Sequence, residues 1–136
     1  RQVAARGLPN VRFAQVTAEK LLPAGLFDFW YSRIVLQHNP PPVILNILAV
    51  AFRRLRPGGV AMFQVPTWIR GYRFSAREYL AGTPGREMEM HAVPQAAVLD
   101  LATTHGLVPR DIREDSALVG RPGDALSNTF VFEKRG

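Results

Sequence analysis

The chain has 136 residues, 47% of them hydrophobic, which is enough for one domain with a core of its own. It has no cysteine, which excludes disulfides and thiolate metal sites, and His38, His91 and His105 share no short metal-ligand spacing, so no metal is expected. The net charge of +6 is carried almost wholly by scattered arginines and no apolar run is long enough to span a bilayer, so neither a nucleic acid nor a membrane is expected as partner.

The first ordered stretch is "VRFAQV" (11–16), short, β-branched and aromatic after the turn-like "GLPN"; it reads as a strand. After a connector, "LFDFWYS" (26–32) is bulky with little polar alternation, as in a strand buried on both faces. Phe27, Phe29, Trp30 and Tyr31 are therefore expected in the core rather than against a cofactor. The run stops at Gln37-His38-Asn39. Asn39 is placed to cap the next helix, whose first turn tolerates the prolines because it has no use for their missing N–H. Ile44, Ile47, Leu48, Ala51, Phe52 and Leu55 recur at helical spacing. Arg53, Arg54 and Arg56 suit the negative end of that helix, and Pro57-Gly58-Gly59 is expected to stop it. "VAMFQV" (60–65) reads as another buried strand.

Residues 66–93 show no sustained periodicity and read as an irregular excursion with a short helix at 75–81. Trp68, Arg70, Tyr72, Arg73 and Tyr79 form an aromatic and basic cluster there. Two readings stand: binding of an anionic or sugar-like substrate by stacking and charge-assisted hydrogen bonds, or support of the loop itself. His91 either enters a cleft from this excursion or lies on the surface. A helix over 94–107 follows, started by Pro94 and closed by Gly106, with His105 structural in its last turn. Residues 108–115 and 127–134 read as strands close enough in sequence to pair antiparallel. Strands alternating with helices imply an α/β layered sheet, in which ligands sit beyond the carboxyl ends of the strands. Asp28 is at the wrong end of its strand for that. His38 follows the ligand-facing end, where it would orient a substrate, act as general base, or simply pack at the helix entry.

Four segments carry a family resemblance: "LPNVRFAQVTAEKL", "FDFWYSRIVLQH", "AFRRLRPGGVAMFQVP" and "HGLVPRDIRED" with "SNTFVFEK". In this order they resemble the second half of a class I S-adenosylmethionine-dependent methyltransferase, over nearly the whole chain outside 66–93. Another doubly wound domain is the weaker comparison, because an antiparallel last strand is unusual there. The resemblance implies a partial Rossmann-like α/β sheet, mostly parallel with an antiparallel C-terminal hairpin and helices on both faces. It implies S-adenosylmethionine as cofactor, with Thr17, Ala18, Ser32 and Arg33 on the cofactor side. Thr17 stands where the family commonly has an aspartate on the adenine, so that contact lacks its charge. His38 is the candidate catalytic residue, and Arg70, Tyr72, Tyr79 and His91 are candidates for substrate binding.

The family's glycine-rich turn and its ribose-binding acidic residue have no counterpart in these residues. Residues 1–136 are accordingly expected to be the C-terminal part of one methyltransferase domain, the missing elements preceding Arg1. The expected function is methyl transfer to a small-molecule acceptor, with weak cofactor binding by this chain alone; the alternative is a non-catalytic methyltransferase-like binding domain. Residues 11–16 are expected to move beside 27–32 or to pair across a homodimer. No leader is visible, so a cytoplasmic protein is expected.

Overall fold

The computed structural model describes residues 9–15, 17, 22–82, 89–116 and 123–136. The elements are β1 (Phe27–Ser32), a single 3-10 turn (Leu36–His38), α1 (Pro41–Arg54), β2 (Leu55–Ile69), α2 (Ala76–Ala81), α3 (Gln95–Thr104), β3 (Leu107–Glu114) and β4 (Ala125–Lys134). They build one four-stranded sheet in the order β1-β2-β4-β3. β1 and β2 are parallel, and β4 runs antiparallel to both β2 and β3. Three strands thus point one way and β4 points the other. A parallel neighbour demands a crossover, and α1 supplies it between β1 and β2.

α1 begins with prolines in its first turn, where the lost N–H groups have no intrahelical partner. The cap differs from expectation. Pro40 occupies the cap position with no side-chain bond, while the Asn39 side-chain amide donates back to the carbonyls of Val35 and Leu36, at 3.3 Å each. A residue before proline is steered into extended backbone, and Asn39 obeys, with ψ 146°. At the other end α1 stops at Arg54, before the glycines. Phe27 faces Leu55 and Phe29 faces Val60, so residues 56–59 loop out opposite Asp28. The Pro-Gly-Gly sequence makes this bulge rather than the helix stop. Gly58 takes φ +75°, and a Cβ on Gly59 would sit 2.8 Å from the Arg56 carbonyl oxygen. Lys134 Nζ, from β4, donates to the carbonyl of Phe52 at 2.9 Å and so satisfies the end of α1.

The core is aromatic at its centre. Phe63 of β2 lies 5.3 Å from Phe130, 5.9 Å from Phe52, 6.0 Å from Phe132 and 5.7 Å from Trp30, ring centre to ring centre. Ile44 and Leu48 of α1 and Val98 and Ala102 of α3 close over these rings in the same buried cluster. α1 and α3 therefore cover one face of the sheet. On the other face Phe29 and Tyr31 stack on each other at 6.3 Å and are more than half exposed, 57% and 53%. The expectation that all four aromatic residues of β1 are core holds for Phe27 and Trp30 and fails for these two, which point away from α1 and α3 onto a face that the described residues leave uncovered.

Two further expectations are corrected. Residues 11–15 are exposed and belong to no strand, so they do not pair with β1; residue 16 lies outside the described residues. The irregular excursion begins at residue 70 rather than 66, because residues 66–69 remain paired with β4. The short helix within it is α2, capped by Ser75, whose hydroxyl accepts from the Glu78 amide. The closing hairpin, the helix at 95–104 and its Gly106 stop at φ +73° follow the sequence reading. His105 packs edge-on against Phe52, and burial, then Arg53 and Lys134, lower its pKa. No helix among the described residues is long and apolar enough to cross a membrane.

Candidate cofactor crevice and acceptor pocket

β1 and β2 are parallel, so their carboxyl ends open on the same side of the molecule. A cavity of about 530 Å³ lies at the carboxyl end of β1, lined by Trp30, Tyr31, Ser32, Arg33, Val35, Leu36 and Asn39 among others. A second, of about 390 Å³, lies at the end of β2 between the starts of α1 and α3, lined by Pro41, Thr67, Trp68, Ile69, Tyr72, Arg73, Phe74 and Pro94 among others.

The turn that leaves β1 is strained and pinned. Ile34 has φ +57°, a left-handed conformation that a β-branched residue rarely adopts and that costs on the order of 1–3 kcal/mol. Its N–H donates to Gln64 Oε1 at 3.2 Å, and the Gln64 amide in turn donates to the Ser127 hydroxyl. Gln64 and Ser127 are both buried, so this link is shielded from water. Arg33 reaches across to Asp115 at 3.4 Å, and Asp115 also accepts from the Thr129 hydroxyl at 3.1 Å. These contacts close a small pocket of about 80 Å³ beside Ser32 and Gln64. Gln37, one turn further on, is buried, and its Oε1 has no hydrogen-bond partner among the described residues. A buried acceptor without a donor is costly and marks a place where a donor is wanted.

A strap joins the two cavities. The His91 N–H donates to the Gln37 carbonyl at 2.8 Å, and His38 Nδ1 donates to the Glu89 carbonyl at 3.0 Å. The side chains continue the link: His91 Nε2 lies 3.0 Å from Glu89 Oε2, and the Tyr72 hydroxyl lies 2.8 Å from His91 Nδ1. The carboxylate can only accept, so in the neutral imidazole Nε2 carries the proton, Nδ1 is the acceptor, and Tyr72 donates. The rings of Tyr72, Phe74 and Tyr79 each stand edge-on to His91 at 5.9 Å. Burial raises the Tyr72 pKa and the Glu89 charge adds to this, against a hydrogen bond from the Ala92 amide; the phenol stays protonated at neutral pH.

Of the residues singled out in the sequence, Ser32 and Arg33 line the crevice, while Tyr72 and His91 are brought into direct contact. His91 is 7% exposed, so the surface reading of it is corrected. Tyr79 packs on His91 and Phe74 at the outside. Arg70 turns away: its guanidinium donates to the Gly123 carbonyl at 2.9 Å and pairs with Asp124 at 3.4 Å, at the start of β4. Thr17 lies in exposed coil, and Ala18 lies outside the described residues. The sequence reading missed Gln64 and Glu89. A glutamine inside the apolar "VAMFQV" was the available signal for the first; for the second, only its spacing of two residues from His91.

No family model matches the chain. Over 62 residues, 46% of its length, it is 44% identical to the trans-aconitate 2-methyltransferase of Deinococcus radiodurans, of which it covers 22%. Among solved structures it superposes on an S-adenosylmethionine-dependent methyltransferase from Clostridium acetobutylicum with a TM-score of 0.65 at 11% identity, over 99% of this chain and 69% of that one. The N-methyltransferase NodS from Bradyrhizobium japonicum, in complex with S-adenosyl-l-homocysteine, gives 0.63 at 15% identity, over 98% and 59%. The fold is that of class I S-adenosylmethionine-dependent methyltransferases. The chain spans about one fifth of the curated relative.

Proposed function

We propose that the chain forms the acceptor side, and part of the cofactor side, of a methyltransferase that uses S-adenosylmethionine on a small molecule. In this reading polypeptide outside these 136 residues supplies the remaining cofactor contacts. The observation that carries it is the pair of cavities at the carboxyl ends of two parallel strands, joined by one strap, on a methyltransferase fold. The residues of the β1 crevice fit one end of the cofactor. Ser32, Arg33 and Asn39 offer polar groups and Val35, Leu36 and Ile47 an apolar wall. Thr17 and Ala18 are assigned to the adenine side by the resemblance alone. The cofactor, when bound, supplies a methyl group already activated by its sulfonium. The protein's own task is then alignment and exclusion of water, which needs few catalytic side chains.

Tyr72, Tyr79 and His91 would contact the acceptor, and Arg70 would fix the end of β2 between Ile69 and Gly71, which line the pocket. His38, with Nδ1 committed to the Glu89 carbonyl, keeps Nε2 to accept. The lining is mostly apolar with Arg73 as its one charged residue, so three carboxylates, as in the relative's trans-aconitate, would lack matching cations there. The test is transfer of labelled methyl from S-adenosylmethionine by the full-length polypeptide bearing this chain. Methylation of a small acceptor is expected. Binding of S-adenosylhomocysteine without transfer to any acceptor would favour a non-catalytic methyltransferase-like binding domain instead.

The outer edge of β1, which no strand among the described residues pairs, would receive a strand from that additional polypeptide. In the isolated chain it would pair two copies, since Phe29 and Tyr31 are exposed beside it. The expected sedimentation of the 136-residue chain is therefore that of a dimer, converted to monomer by Phe29→Lys with Tyr31→Lys. A monomeric parent chain would contradict this.

A further inference from the structure

We propose that Tyr72, His91 and Glu89 form a proton relay that deprotonates a planar, largely apolar acceptor bearing an acidic hydroxyl, in the pocket at the end of β2. This rests on reading that pocket as the acceptor site. Tyr72 is the member that lines it; His91 and Glu89 act through Tyr72 and are positioning residues. The chain of donors is ordered by chemistry: the phenol donates to Nδ1, and Nε2–H donates to a carboxylate that can only accept. The Ala92 amide fixes the phenol oxygen from another side. His91 is buried inside three aromatic rings, so its orientation is set by packing as well as by hydrogen bonds.

The proton balance is closed. The acceptor hydroxyl gives its proton to the Tyr72 oxygen as Tyr72 gives its own to His91 Nδ1. The phenol is restored, the acceptor becomes an oxyanion ready for the methyl group, and one proton rests on an imidazolium held by Glu89. Such a relay is idle for a carboxylic acid, which arrives ionised and would meet Glu89. It is useful for a phenol or enol, which must be ionised before it attacks. Trp68, Phe74, Ile69 and the two prolines of the lining suit a flat ring.

A merely structural strap is the competing explanation, and Tyr72→Phe separates the two because it keeps the ring against His91 and removes only the oxygen. The probe is para-nitrophenol, whose absorbance reports its ionisation, added to the 136-residue chain at a pH below its own pKa. Binding is expected to produce the phenolate band. Tyr72→Phe is expected to bind the probe, by equilibrium dialysis, without that band, and Glu89→Gln to weaken the band. Binding of the neutral probe by the parent protein, absence of binding, or an unchanged band in Tyr72→Phe would each overturn the proposal. Nitrogen NMR gives a second readout: His91 should carry its proton on Nε2, and a proton on Nδ1 would overturn the relay. In the methylating enzyme Tyr72→Phe is expected to lower kcat by about 10²–10⁴-fold. Neither the band nor the tautomer depends on methyl transfer, so an enzyme that fails to methylate while both hold would sink the proposed function and leave the relay standing.

Discussion

Phe63→Ala is expected to lower the stability of the folded chain by about 3–5 kcal/mol, the range for truncating a buried aromatic residue. Phe63 is fully buried and is the one ring that touches Trp30 of β1, Phe52 of α1 and both Phe130 and Phe132 of β4. Its removal therefore opens a void that three separate elements border, and no single neighbour can collapse into it without leaving another. Against a total stability of about 5–15 kcal/mol for an ordinary domain, the loss leaves little. Phe63→Leu keeps most of the volume and is expected to cost clearly less. Urea unfolding of the three proteins checks the order; an alanine variant within about 1 kcal/mol of the parent would show that the cluster is not the centre of the core.

Gln64→Leu is expected to act on both stability and the site. The leucine fills the same space but leaves the Ile34 N–H and the Ser127 hydroxyl without the partner they share. Each such loss costs about 1–3 kcal/mol. Part is returned, because the turn no longer holds Ile34 at positive φ; a net loss of about 2 kcal/mol is expected. The more specific consequence is local: amides of residues 33–38 should exchange faster with solvent, while those of β4 away from Ser127 keep their protection. Unchanged exchange at 33–38 would show that Gln64 does not pin the turn.

How far these features could be read in advance depends on where their partners lie. The crossover from β1 through α1 to β2 and the hairpin of β3 with β4 were legible, because apolar spacing and chain proximity decide them locally. The exposure of Phe29 and Tyr31 was not: an apolar run looks alike whether one face of its strand is covered or both, and only the placement of the helices separates the two. Asn39 looked like a cap because its residue type suits one, yet the following proline held its backbone extended and its side chain turned back to Val35 and Leu36. The Pro-Gly-Gly stretch was read correctly as a break, but whether it ends a helix or loops out of a strand depends on the register against Phe27 and Phe29. At the site, Ser32, Arg33, Tyr72 and His91 could be singled out by type and position. The burial of His91 depends on the Gln37 carbonyl and the Tyr72 hydroxyl, both distant in sequence, and no local pattern announces them.

The most direct measurement is an NMR titration of S-adenosylhomocysteine into the 136-residue chain, which detects even millimolar binding. The expected result is weak, non-saturating binding at micromolar ligand, with amide shifts centred on Ser32, Arg33 and the turn through Asn39. Absence of any shift there at millimolar ligand, or shifts centred on β3 instead, would contradict the assignment of the β1 crevice to the cofactor.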